Sequence, residues 1–300
     1  MKILIIGSKG FIGSNAFQYF GHHDVFGCDI TLNLDNSSRY FYVDANNPDY
    51  DTLFSEHFFD ICINASGSAN VAFSMEHPFL DFQSNVKNVF QLLNSFLKHN
   101  PNCKIINLSS AAVYGNPQKL PVVETDYKMP MSPYGFHKQM TELLMTEFST
   151  IYQLRCCSVR IFSAYGPGLK KQLFWDIYQK SKNSDTITLF GTGKETRDFI
   201  FVEDVMKALE MIIENADFKG EIYNLGCGEE TTINQAAQQF IDVINPSLKL
   251  EFNNQVKEGD PTRWCADIDR LKALDTKIVF KTTIQEGLSR YYEWLKTHKL

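Results

Sequence analysis

From its N-terminus the chain alternates short apolar runs with longer segments whose apolar residues recur every three or four positions. "KILIIG" (2–7), "DVFGCDI" (24–30), "RYFYVD" (39–44), "FDICINA" (59–65), "CKIINLSS" (103–110) and "CCSVRIF" (156–162) read as strands. Several are apolar throughout, as strands covered on both faces are. The longest helical segment, roughly 72–98, carries Val86, Val89, Phe90, Leu93 and Leu97 at helical spacing. In 133–152 the same pattern is set by Met140, Leu143, Leu144, Phe148 and Ile151, after a Ser132-Pro133 start suited to a helix cap and first turn. Strand–helix alternation predicts an α/β fold, a doubly wound parallel sheet with helices on both faces.

The pattern changes after Phe162. "SAYGPGLKK" reads as a Gly/Pro loop and "NSDTITLFGTGKETRD" as turn-rich. Helices are expected at 202–213, about 232–244 and 283–298, and strands at 220–226 and 248–252. No repeat or low-complexity linker separates two halves. The expected division is a nucleotide-binding domain over 1–163, to which about 198–226 returns. A smaller, interwoven C-terminal α/β substrate domain takes 164–197 and about 227–300.

Composition narrows the function. Three hundred residues, 44% hydrophobic and 21% charged, suit a globular protein. The net charge of −6 disfavours nucleic acid as a partner, because phosphate contacts need a basic face. No apolar run approaches the roughly 20 residues of a membrane helix, and strand-like sequence from Lys2 leaves no room for a signal peptide. The seven cysteines are scattered without metal-ligand spacing, so no metal is expected and they read as reduced core residues of a cytoplasmic protein.

"IIGSKGFIGS" places Gly7, Gly10 and Gly13 between the first strand and the first helix. Glycines there let the backbone turn tightly and approach a pyrophosphate at the helix N-terminus. The spacing is G-x-x-G-x-x-G. With its strand–helix–strand context it reads as a Rossmann dinucleotide site. Asp29, 22 residues after Gly7 at the end of the second strand, can accept from a ribose diol and would repel a 2′-phosphate, which favours NAD over NADP. Asp44 is either a turn residue or a second acid along the cofactor crevice.

"SPYGFHK" puts Tyr134 and Lys138 at i and i+4 on one helix face. A cation beside a phenol favours the phenolate and makes a usable base. Alone, such a pair is also an ordinary solvated pair. Ser110, at the sheet edge where doubly wound folds bind ligands, can hydrogen-bond a substrate oxygen or simply cap a turn.

"GSKGFIGS", "NLSSAAVYG", "SPYGFHK", "VRIFSAYGPG", "GTGKETRDFIFVEDV", "IYNLG" and "EGDPTRWCAD" occur in this order. Together they resemble the extended short-chain dehydrogenase/reductases, the nucleotide-sugar epimerase/dehydratase family. The resemblance implies Ser110, Tyr134 and Lys138 as the catalytic group. It implies NAD held by Gly7, Gly10, Phe11, Ile12, Gly13, Asp29, Asp44, Ala65, Gly67 and Asn85, with Tyr134 and Lys138 at the nicotinamide end. Asn85 has a structural reading too, as a helix-interior polar residue. It implies Arg197 as the grip on the substrate diphosphate, for which its planar fork is suited. A homodimer through the segments at about 72–98 and 133–152 is a further implication.

The departures narrow the reaction. Ser163 stands where the family often has Asn, and a hydroxyl can reach phosphates through water. Lys257 stands where Arg is common and keeps the charge without the fork, with Arg263 close by to compensate. Ala111 and Ala112 replace the acids that the family's dehydratases and decarboxylases carry after the Ser. Methyl groups move no protons. The expectation is an NAD-dependent epimerase that inverts C4 of a nucleotide-diphosphate sugar through a transient 4-keto sugar. The alternative is an NAD(P)H-dependent 4-ketoreductase on the same residues. A non-catalytic NAD-binding protein could dispense with the Tyr/Lys pair. His137 has no assigned role.

Overall fold

The computed structural model describes residues 1–32, 38–255, 259–275, 280 and 282–298. The first half runs β1 (Lys2–Ile6), α1 (Phe11–Tyr19), β2 (Asp24–Asp29), β3 (Tyr40–Tyr42), α2 (Tyr50–Glu56), β4 (Ile61–Asn64), α3 (Val71–Glu76), α4 (Pro78–Phe82), α5 (Asn88–His99) and β5 (Lys104–Ser110). It continues through α6 (Pro133–Tyr152), β6 (Cys156–Ile161), β7 (Ser163–Tyr165), α7 (Gln172–Ser181), β8 (Thr186–Leu189), β9 (Thr196–Arg197) and β10 (Phe199–Phe201). The remainder is α8 (Val202–Asn215), β11 (Lys219–Leu225), β12 (Thr231–Thr232), α9 (Ile233–Ile244), β13 (Lys249–Phe252), α10 (Asp269–Lys272) and α11 (Ile284–Thr297).

Seven strands form one parallel sheet in the order β11-β6-β5-β4-β1-β2-β3. Strand order reverses at β1, which has β2 on one side and β4 on the other. A doubly wound sheet binds ligands at that point. Successive side chains of β1 enter opposite layers: Ile3 and Ile5 pack with Ala16, Val205 and Leu209 of α1 and α8, and Leu4 and Ile6 with Phe54, Leu93 and Phe148 of α2, α5 and α6. A third core holds Phe174, Ile187, Phe240 and Tyr291, where α7, α9 and α11 pack with β8. The chain leaves the sheet after β6 and returns to it through β11.

Three expectations need correction. The segment 72–98 is not one helix. Pro78 starts a new helix after His77 leaves helical geometry, and Gln83–Lys87 is a π-helical turn before α5. The helix expected over 133–152 is present as α6, but its apolar repeat is buried only in part, at Leu144 and Phe148. Met140, Leu143 and Ile151 are exposed, whereas Tyr134, His137, Lys138, Thr141 and Glu142 are buried. The turn-rich stretch before Arg197 holds β8 and β9, which pair with β13 and β12. Lys257 lies outside the described residues.

Candidate active site

The glycine loop sits where the strand order reverses. Gly7 donates its N–H to Cys28 O (2.8 Å) and has φ +79°. A Cβ there would stand 2.6 Å from Ala65 O, so only glycine lets the loop lie against the end of β4. α1 begins after Gly10 with no side-chain cap and no acid in its first turn. Its first N–H groups, from Phe11, Ile12 and Gly13, are therefore open to an anion in the positive end of the helix field.

Asp29 is buried at the end of β2. Its Oδ2 accepts from Lys9 N (2.8 Å) and its Oδ1 from Thr31 N (3.1 Å), fixing the carboxylate beside the loop. Asp44 is exposed, and its Oδ1 accepts from Asn46 N and Asn47 N in a turn (2.8 and 2.9 Å). Asn85 lies in the π-turn, buried, and donates through Nδ2 to Ser68 O (3.2 Å) next to Gly67. Its Oδ1 has no partner. An uncapped helix end, a fixed carboxylate and an unpaired buried amide oxygen around one glycine turn fit a dinucleotide.

Ser110 ends β5, and its Oγ accepts from Ala112 N (3.2 Å), capping the 3-10 turn Ala111–Tyr114. The same side chain lies by the Tyr134 phenol and favours its ionised form. α6 starts as its sequence predicts, with Ser132 Oγ accepting from Gly135 N (3.2 Å) and Pro133 in the first turn. Tyr134 N donates to Ser74 Oγ of α3 (3.1 Å). A Cβ on Gly135 would lie 2.7 Å from Ala112 O. Helix and Ser110 loop can approach this closely only because residue 135 is glycine.

Burial pushes Tyr134 up to about 12, and the nearby Ser110 side chain works in the other direction. Burial lowers Lys138 to about 8. Lys138 Nζ donates to Leu108 O (3.0 Å) and lies 5.9 Å from the Tyr134 ring centroid. The lysine thus sits beside the phenol, with its head on the backbone of β5.

Arg197 is shielded, and burial lowers it from its ordinary value. Its Nη1 donates to Thr196 O (2.8 Å), and its guanidinium lies over Trp264, 5.2 Å from the ring centroid. Among the described residues no carboxylate pairs with it. Trp264 donates through Nε1 to Gly115 O (2.9 Å), joining this arm to the Ser110 loop. The fork of Arg263, expected to compensate for Lys257, is paired with Glu230 (2.6 and 2.7 Å). Ser163 lies in β7, and its N–H donates to Asp198 O (2.9 Å). Ser74, Asp81 and Trp264 were not singled out from the sequence. Only the Trp carried a signal, an aromatic in an otherwise polar loop.

A glycine turn at the switch of a doubly wound sheet, with a hydroxyl pair and a lysine at the strand ends, defines a dinucleotide-dependent enzyme of the Rossmann class. The chain belongs to the NAD dependent epimerase/dehydratase family, whose model matches residues 3–226. A UDP-glucuronate 4-epimerase of Thermodesulfobacterium geofontis is 29% identical over 82% of this chain and 75% of its own. A CDP-paratose 2-epimerase of Salmonella typhi is 25% identical over 98% of this chain and 99% of its own. The structure of UDP-glucuronic acid 4-epimerase from Bacillus cereus, in complex with UDP-glucuronic acid and NAD, matches with a TM-score of 0.89 at 25% identity over 100% of both chains.

Proposed function

We propose that this protein inverts C4 of a nucleotide-diphosphate sugar. One observation carries the reading. Ser110 and Lys138 both stand next to the Tyr134 phenol, while the two positions after Ser110, Ala111 and Ala112, offer no second acid or base. One proton relay suits reversible oxidation of a single hydroxyl and does not suit elimination or decarboxylation. The named relatives that act on C4 of UDP-sugars support the same reading.

In this reading Gly7, Gly10, Phe11, Ile12, Gly13, Asp29, Asp44, Ala65, Gly67 and Asn85 hold NAD, with Lys138 at the nicotinamide ribose. NAD, when bound, supplies the hydride acceptor at C4 and a positive ring that favours the Tyr134 phenolate. Tyr134 Oη takes the proton of the C4 hydroxyl, and Ser110 Oγ holds that oxygen. The 4-keto sugar turns over in the pocket, Tyr134 Oη returns the proton to the C4 oxygen, and C4 takes the hydride back from bound NAD on its opposite face. Arg197 binds the diphosphate, so the nucleotide end stays fixed while the sugar moves.

The reading includes a homodimer. Phe79 and Leu80 of α4, Phe90 of α5 and Phe136, Met140, Leu143 and Ile151 of α6 are exposed on helices that pack side by side. An apolar surface of this kind marks an interface, and a second copy presents the same face. The seven free thiols suit a reducing compartment, the cytoplasm.

The test is to denature the purified protein and assay released NAD(H), then incubate native protein with UDP-, dTDP- and GDP-sugars without added cofactor. Retained dinucleotide and a C4 epimer support the reading. Turnover only of a 4-keto sugar with added NAD(P)H would replace it with the ketoreductase.

A further inference from the structure

His137 lies on α6 between the two reactive residues, three positions after Tyr134 and directly before Lys138. It is 8% exposed, and its Nδ1 is 2.6 Å from Asp81 Oδ2. Asp81 comes from α4 and is fully buried, and its Oδ1 has no hydrogen-bond partner. The His137 ring meets Phe82 edge to face at 5.5 Å, which closes the pair from the α4 side. A buried carboxylate this poorly satisfied is strongly disfavoured unless a cation offsets it.

Two buried carboxylates act on the reactive pair, Asp81 on both Tyr134 and Lys138 and Glu142 on Lys138. Glu142 is already neutralised, because Arg160 donates to it from Nε and Nη2 (2.8 and 2.7 Å). Other charged groups on the packed elements are turned elsewhere. Glu76, the last residue of α3, and His77 after it are exposed, and the His77 ring lies tilted against Phe73 at 5.0 Å. Lys87 donates to Asn46 O. Among the described residues His137 alone can serve Asp81 as Arg160 serves Glu142.

We propose that His137 and Asp81 are a positioning pair for the active site, the His137 imidazolium cancelling the negative field that Asp81 would otherwise place on Tyr134. Neither residue touches substrate. The pair acts through the tyrosine, so it rests on the reading of Tyr134 as acid and base. An uncompensated carboxylate would favour the neutral phenol and weaken it as a base.

Two experiments test this. First, the ring-nitrogen NMR shifts of His137 are recorded in the whole protein near neutral pH, with the signal assigned by its absence from a variant. Both nitrogens protonated is the expected result, and a neutral tautomer overturns the pair. This readout needs no turnover, so it stands or falls separately from the 4-epimerase reading. Second, kcat/KM is followed against pH. His137→Gln moves the acid limb up by about one pH unit, and the double variant His137→Gln/Asp81→Asn brings it back to the wild-type position. A merely structural contact gives no such rescue. An unmoved limb in His137→Gln, or a double variant displaced as far as the single, overturns the proposal. If His137→Gln does not fold, the double variant supplies the NMR assignment, and the protonation state decides.

Discussion

Ser110 Oγ is held by the N–H of Ala112, and its side chain lies by the phenol of Tyr134. The turn therefore aims the hydroxyl before any substrate arrives. Tyr134→Phe keeps the ring and its burial and removes the proton-bearing atom. It should lower kcat by roughly a thousandfold with an unchanged unfolding temperature, and a retained rate would remove Tyr134 from the role. Lys138 is lowered to about 8 by burial, so it is charged below that pH and neutral above it. Activity should fall above about pH 8, and Lys138→Met should lack that limb. The linked stability term has the opposite sense. Between about 8 and the ordinary lysine value near 10.5 the unfolded chain binds more protons than the folded one. Thermal unfolding across that window should show wild type gaining on Lys138→Met as pH rises. A flat difference would show that Lys138 titrates normally in the fold.

At the scale of elements, α6 carries the site because its start is specified three times over, by Ser132, Pro133 and Gly135. The first two were legible in the sequence as a cap and a first-turn proline. The third was not, because the reason for glycine is the Ala112 carbonyl of another segment. Gly135→Ala should push α6 off the Ser110 loop and cost activity far more than stability; a fully active variant would show that the close approach is dispensable. The same helix shows where periodicity misleads. Its apolar repeat is real, but much of the sheet side is taken by Tyr134, Lys138, Thr141 and Glu142, and only Leu144 and Phe148 of the repeat turn to the core while Met140, Leu143 and Ile151 face outward. Burial of a helix face is set by its partners, which a single sequence does not display. The break at His77-Pro78 was visible as a proline, and the apolar spacing that marked the helix begins only at Val86, beyond it.

Across the whole molecule the Rossmann sheet was readable because each strand is a compact apolar run next to a helix. The later strands β8, β9 and β12 are short and polar, so their pairing comes from tertiary context. One buried residue ties the two regions together. Asp198, which follows Arg197, accepts from Cys227 N (2.7 Å), Gly228 N (2.9 Å) and Ala266 N (3.0 Å). Asp198→Ala leaves three buried donors unpaired and should destabilise the fold by roughly 2 kcal/mol or more, read as a fall in the urea midpoint. An unchanged midpoint would show that these bonds contribute little. The outward face of α4 and α6 predicts a dimer in solution that Phe79→Glu/Leu143→Glu splits into monomers. A monomeric wild type in light scattering would contradict that assembly.

The central claim is inversion at C4 by one proton relay with no carbon acid involved. Its most direct measurement is proton NMR of nucleotide sugars incubated with the protein in D2O, with no added cofactor. The account predicts a C4 epimer whose carbon-bound hydrogens at C3, C4 and C5 remain undeuterated. Deuterium at C3 or C5, inversion at C2 instead, or no product from any sugar in the panel would contradict it.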